Sequence, residues 1–449
     1  TLGSGALLLS AATSHHGLTT GDTPRMQLAF WEIARIGNGW IPFQSTVDET
    51  VHFGGKEYAL RWNGGQGAIN ELQGARKDGT AAWGRKGIVV RQMRHLPVSL
   101  YNGDAFDINT AVIEPDTDED LPAIWCFLSS EKYNEAVRQV DQKVIVTSAT
   151  LAKVPYDSAH WQQVAAERYP NGLPKPYSDD PTQWIFHANP QRSTDPLQVA
   201  VARLHGYTWP AESDEEMELS DEARAWVKKS KALSTLADED GIVCIPSVKG
   251  ELPAEERLLA MLATTWGPDW SPGMQAKLLA DADAEGKSLE FWLGNIFFAQ
   301  HCRRFQDRPF IWHVWDGQKD GFSALVNYHK LTKAKLESLT YAYLGDWITQ
   351  QERKKAANVD GADILLDAAR GLQARLKLIL AGEPLCDIFV RWKALKDLPI
   401  GWDPDLNDGV RMNIRPFLLA GDVGKKGAGI LRDRPNIKWA KDRGADVPS

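Results

Sequence analysis

Cysteine is scarce in this chain of 449 residues, and the four that occur, Cys126, Cys244, Cys302 and Cys386, stand far apart. No CxxC pair exists, and Cys302 has only His301 beside it. Such spacing argues against a thiolate zinc site or a disulfide framework and points to buried free thiols in a reducing cytoplasm. Long apolar runs are lacking as well. None reaches the roughly 18–20 residues of a membrane span, and Ala6-Leu7-Leu8-Leu9 is short with no basic residues before it, so no membrane partner or signal peptide is expected. A basic excess is also missing: the net charge is −8, which argues against a simple cationic coat for nucleic acid. No internal repeat is present.

What the chain does have is charge segregated along its length. Five of the seven residues from Glu114 to Asp120 are acidic, and a second acidic cluster runs from Glu212 to Asp221. From Arg411 to Gly444 nine Lys and Arg stand against three Asp, a tail of +6. Arg85, Lys86, Arg91 and Arg94 form another basic cluster with no acid among them. Segregation of this kind suits a protein that meets phosphates along selected surfaces; a solvated, patchy surface gives the same pattern.

The periodicity predicts an α+β fold: a mixed, β-rich domain followed by a mainly α-helical one. Over residues 1–156 short β-like runs alternate with glycine turns. Trp40–Phe43, Tyr58–Trp62, Gly87–Arg91, Ala123–Leu128 and Lys143–Thr147 read as strands, and Ser130–Arg138 as a helix capped by Ser129 or Ser130. Residues 157–250 read as an irregular connector interrupted by a helix from Ser220 to Leu233. From 251 to 449 the character is helical and ends in the basic tail. Glu255–Thr264, Gly273–Asp283 and Ser288–Phe305 are predicted helices. Leu331–Lys355 and Gly361–Leu380 form a predicted hairpin, with Leu365, Ala368, Leu372, Leu376 and Ile379 as one apolar stripe.

Several segments combine these features into motifs. Gly17-Leu-Thr-Thr-Gly-Asp-Thr-Pro-Arg25, followed by Phe30-Trp31-Glu32, reads as a tight loop entering a helix. Gly17 and Gly21 permit close approach or positive φ, Thr19, Thr20 and backbone N–H groups suit a phosphate, and Asp22 or Thr23 suits a cap ahead of Pro24. A plain capped turn has the same sequence features. Further on come Trp83-Gly84, Gly87-Ile-Val-Val, Phe106, Ile124-Trp-Cys-Phe-Leu-Ser-Ser130 and Val154-Pro155. The densest block, Arg308 to Lys330, holds Trp-Asp-Gly, Asp-Gly-Phe and Tyr-His. Its His313, Asp316, Asp320 and His329 invite a metal or nuclease reading, but no Asp/Glu-x-Lys strand follows and the spacing fits no common metal motif. Core tryptophans and Asp-Gly turns are the alternative. Gly401 to Pro416 and Arg434 to Gly444 close the chain; the Pro-Asp-Leu-Asn-Asp-Gly loop there lacks the acids of an EF-hand and reads as a turn.

Taken in order, these segments resemble the target-recognition and C-terminal regions of large adenine-specific DNA methyltransferases. The family is the PglX-like type of BREX, DISARM and fused restriction–modification systems. The resemblance implies a DNA-binding, site-reading portion of such an enzyme, a start at Thr1 that reads as a partial chain, and other defence-system subunits as further partners. It implies double-stranded DNA as ligand, with Thr19, Thr20, Arg25, Arg85, Lys86, Arg91, Arg94, Lys425, Lys426, Arg432 and Arg434 as contacts. Arg91 and Arg94 are the expected base readers. Where the family commonly has Gly-Asp-Asn and Arg-Phe, this chain has Thr23 and Met26, which removes an amide side chain from the loop.

The methyl donor of that family is S-adenosylmethionine, and two features place it outside this segment. N6-adenine methyltransferases grip the flipped base with an (Asn/Asp/Ser)-Pro-Pro-aromatic loop, and no Pro-Pro dipeptide occurs here. Gly3-Ser4-Gly5 could imitate a cofactor loop, but no strand precedes it. No catalytic or cofactor-binding residue is therefore expected in the segment itself. Two other classes compete: a noncatalytic partner subunit using the helical hairpin for docking, and a glycoside hydrolase exploiting the 18 tryptophans for sugar stacking. Titration calorimetry of the purified chain is expected to show no S-adenosylmethionine binding. Stoichiometric binding would overturn the assignment of the cofactor to an upstream core.

Overall fold

Short apolar runs in the first third of the chain fold as two four-stranded sheets. The computed structural model describes residues 6–383 and 386–439. Its strands are β1 (Ala12–His16), β2 (Gln27–Ala29), β3 (Trp40–Gln44), β4 (Tyr58–Arg61), β5 (Gly87–Arg91), β6 (Val98–Tyr101), β7 (Ala105–Phe106), β8 (Thr110–Pro115), β9 (Ile242–Cys244), β10 (Ile311–Trp315) and β11 (Ser323–Asn327). The first sheet has the order β1-β8-β5-β6 and is antiparallel throughout. The second runs β2-β4-β3-β7, with β3 and β7 parallel. A third, β10-β11-β9, lies within the helical half. The fold is α+β, and no helix among the described residues is long and apolar enough to cross a membrane.

β5 is apolar without alternation because both its faces are covered. Ile88 and Val90 face a core that includes Ala111, Ile113, Ile124 and Phe127, while Val89 packs with Tyr101, Phe106 and Val112 on the other side. That double burial explains one departure from expectation. Ala123–Leu128, predicted as a strand, lies in a helix, Leu121–Leu128, whose residues from Ala123 onward are all buried. A continuous apolar run carries no period, so it does not distinguish a buried strand from a buried helix; Pro122 in the first turn favours the helix. Lys143–Thr147, also predicted as a strand, supplies only an isolated bridge from Ile145 to Met93.

Other elements follow the sequence more closely. Glu131–Val140 begins after Ser130, and Asp221–Ala232 is capped by the Ser220 hydroxyl, which accepts from Ala223 N at 3.0 Å. Ser288–Phe305 is two helices, Leu289–Asn295 and Phe297–Arg304, separated at Ile296. The hairpin pairs Leu344–Ala356 with Ala362–Ala381. Its buried stripe is Leu366, Ala369, Leu372, Leu376 and Ile379, one residue later in its first half than the periodicity indicated. Within 157–250, Trp161 and Ala165 join the core beneath the first sheet, whereas Trp184, Trp209 and Val227 join the large core of the helical half.

The N-terminal sheets meet that large core through a wedge, Phe30-Trp31-Glu32. Trp31 is fully buried and sits edge-on to Phe30 and Phe305, with ring centroids 5.2 and 5.4 Å away. Its Nε1 donates to the Arg308 carbonyl at 3.2 Å, and its own carbonyl accepts from His329 Nε2 at 2.8 Å. Glu32, with no solvent exposure, accepts from Ala29 N at 3.0 Å. Its carboxylate lies 3.1 Å from Arg308 Nε and 3.2 Å from Arg411 Nε. Removing one partner of a buried ion pair strands the other charges, so Glu32→Ala is expected to lower the unfolding free energy by about 3–5 kcal/mol. Urea titration of both proteins measures it, and an unchanged midpoint would remove the anchoring role.

Candidate nucleic-acid interface

The loop ahead of the wedge is braced against its surroundings. Gly17 passes so close to β7 and β8 that a Cβ would lie 1.9 Å from the Asp107 carbonyl oxygen, which only glycine avoids. Leu18 N donates to the Phe106 carbonyl at 2.9 Å, and Thr19 and Arg76 exchange backbone hydrogen bonds at 3.0 and 2.9 Å. Thr20 is buried, its hydroxyl 2.9 Å from that of Thr23. Asp22 precedes the single-turn helix Thr23–Met26, but its side chain makes no cap; the carboxylate pairs with Arg391 instead. Arg25, on that turn, is half-buried, and its enclosed Nε has no acceptor. No ion pair forms with Arg25 among the described residues.

Arg85, Lys86, Arg91 and Arg94 do not form one cluster. β5 holds the two pairs at its opposite ends, roughly 17 Å apart at strand rise. Each cation faces a carboxylate: Arg85 lies 2.9 Å from Glu114, and Lys86 is 3.1 Å from Glu218. Arg91 and Arg94 share Asp48, at 2.5 and 3.5 Å. The Arg91 guanidinium holds the Asp48 carboxyl below its ordinary value. Asp48, Glu218 and Arg391 were not singled out from sequence. Their pairings arise between residues 43 to 369 positions apart, and no local pattern signals such partners.

The basic tail runs along the third sheet. Leu431 bridges to Val314, and Arg432 N donates to the His313 carbonyl at 2.9 Å. The Arg432 guanidinium stacks 3.8 Å from the centre of the Trp315 ring and donates to Asn295 Oδ1 at 2.7 Å. Lys425 pairs with Asp433. Lys426 and Arg434 are exposed, and Asp422, whose carboxyl is held low by the backbone N–H groups of Gly427 and Gly429, closes the turn between them. Gly3-Ser4-Gly5 and the tail from 440 onward lie outside the described residues.

The Arg308–Lys330 block is a packed hairpin. Trp312 is buried against Tyr328, Trp402 and Phe417. Asp316 closes the turn by accepting from Gln318 N at 3.0 Å and Phe322 N at 2.8 Å, and a Cβ on Gly321 would strike its carboxylate. His313 contacts the Ser323 hydroxyl, His329 reaches Trp31, and Asp320 is exposed. Among the described residues no three His, Cys, Asp or Glu side chains converge as metal ligands. The one parallel strand pair there is β3 with β7, two residues long, so no strand–helix–strand cradle for a nucleotide cofactor is formed. Thirteen of the 18 tryptophans are buried and the rest half-buried.

Compared with known proteins, the chain matches no family model. A search of curated proteins likewise returns no match.

The histidines of the core set an acid limit on the fold. Burial pushes His301 and His313 down to about 3, and His205 and His329 down to about 4. His329 donates through Nε2, and its enclosed Nδ1 has no acceptor, so a second proton would be unpaired. The unfolded chain binds protons below about 6.5 that the folded chain refuses. These groups therefore stabilise the fold fully above that pH and lose their effect as pH falls toward 4. Asp316 opposes them, since burial raises its carboxyl to about 6. His329→Gln keeps a donor for Trp31 without the titration. Between pH 6.5 and 5 it is expected to flatten the fall in unfolding free energy by about 1 kcal/mol per pH unit, and identical slopes in urea melts would exclude this role.

Proposed function

We propose that the chain is the DNA-binding and target-recognition part of a site-specific N6-adenine DNA methyltransferase of a phage-defence or restriction–modification system, with the catalytic core outside these residues. The observation that carries the reading is Arg25. Arg25 is half-buried, its enclosed Nε meets no acceptor, and no carboxylate pairs with it among the described residues, which leaves a cation open to an anion from outside. It stands on a loop braced on one side by Arg76 and on the other by the Phe30-Trp31-Glu32 wedge. On the same loop Thr19 is partly exposed, and its backbone partner Arg76 has a side chain 60% exposed and 3.5 Å from Asp78. Together they suit a phosphodiester backbone crossing the loop. Exposed Lys426 and Arg434 supply further charge for phosphates.

In this reading the segment positions duplex DNA for a core that binds S-adenosylmethionine and flips adenine, and no chemical step belongs to the residues described here. Fluorescence anisotropy of the full chain with a mixed-sequence duplex tests it across about 50 to 200 mM salt. Binding is expected to weaken log-linearly with salt. Arg25→Ala should lower affinity on every duplex and reduce the slope by about one. Salt-independent binding, or no binding at the lowest salt, would sink the reading.

A further inference from the structure

We propose that Val144 and Ile145 form an apolar reading tip that contacts base edges in a groove of duplex DNA; the inference rests on the DNA-binding reading above. These two β-branched residues are 77% and 59% exposed, although the chain on either side is fixed. Val146 is fully buried, and its N–H donates to the Gln92 carbonyl at 2.8 Å. Lys143 N donates to Asp141 Oδ1 at 2.9 Å. Arg138 donates to the Lys143 carbonyl and, at 2.6 Å, to the Arg94 carbonyl. The loop is thus tied to the β5–β6 turn, and the pair is held outward rather than exposed by slack chain.

The turn beside it is itself unusual. Arg94 and Leu96 both have positive φ, 61° and 55°, a conformation that bulky residues rarely adopt. It buries Leu96 in the core and leaves the Arg94 and His95 side chains 62% and 48% exposed next to the apolar pair. The charged groups on this turn, this loop and their partners are Arg91, Arg94, His95, Arg138 and Lys143, with Asp48, Glu49 and Asp141. Asp48 and Asp141 are engaged within the protein, whereas the Glu49 side chain is exposed. Asp48 joins the two guanidiniums, Glu49 lies 3.6 Å from His95, and Asp141 accepts from the loop backbone.

Two apolar side chains are far too small an area for a stable protein interface, which needs about 800 Å² on each partner. Cations flanking a narrow apolar tip instead match a groove, where they straddle phosphates while methyl groups meet thymine methyls or enter a base step. This contact chemistry differs from that of Arg25, because an apolar contact releases no counterions and leaves the salt slope alone.

The test selects duplexes from a random pool with the purified full chain, then compares Val144→Ser/Ile145→Ser with Lys143→Ala. The wild type is expected to enrich a sequence. The double variant should bind that sequence about tenfold or more weakly, with bulk-duplex affinity and salt slope retained. Lys143→Ala should weaken both duplexes alike and reduce the slope by about one. Matching thermal melts confirm that the exposed substitutions leave the fold intact. Unchanged affinity and selection by the double variant would overturn the tip while leaving DNA binding standing, as would wild-type binding without any enrichment. A wild type that binds no duplex would overturn the underlying reading as well.

Discussion

One buried carboxylate joins three distant stretches of this chain. Glu32 follows the N-terminal loop, Arg308 precedes β10, and Arg411 lies near the C-terminal end, yet the three side chains meet where water is excluded. Neither charge type would be tolerated there alone. The N-terminal sheets and the helical core therefore hold together only in the arrangement that brings all three into contact. Trp31 reinforces the same junction by filling it with an indole whose N–H and carbonyl are both satisfied by the opposite side.

The consequence reaches the candidate interface. Arg25 lies seven residues before Glu32 in the same stretch, so the wedge that anchors the sheets also fixes the loop that carries the unpaired cation. Across the junction, the ring of His329 packs near Tyr207 and Phe310, and Phe310 packs against Phe305 beside Trp31. This continuous aromatic layer packs against the wedge that follows the loop. Pre-set side chains lose less entropy when a ligand docks, which favours recognition over mere attraction.

Much of the architecture was legible where one physical cause acted alone. Ser220, followed by a polar, acidic run, marked its helix, and Gly87–Arg91 marked its strand. Ala123–Leu128 was not legible because its covering layer, the helix Ser158–Arg168, comes from a stretch with weak periodicity. Lys143–Thr147 misled for the opposite reason: its three consecutive apolar residues suggest burial, but Val144 and Ile145 face solvent. At the candidate site, the Gly17–Glu32 motif stood out in the sequence, though Phe30-Trp31-Glu32 serves as an anchor and not as a ligand contact. Glu114 on β8 and Asp48 and Glu218 on loops, which hold the β5 cations, are brought there by tertiary folding and could not be read from spacing.

Those three carboxylates have a further effect. Arg85, Lys86, Arg91 and Arg94 carry resident counterions of their own, fixed to the protein rather than drawn from solution. A polyanion docking at β5 would have to displace Glu114 and Glu218 at one end or the shared Asp48 at the other, and the displaced charge would remain on the surface beside it. Fewer mobile ions would then be liberated than a tally of lysines and arginines suggests. The surface would select against loosely held polyanions and admit only a ligand whose geometry gives more than the carboxylates already provide.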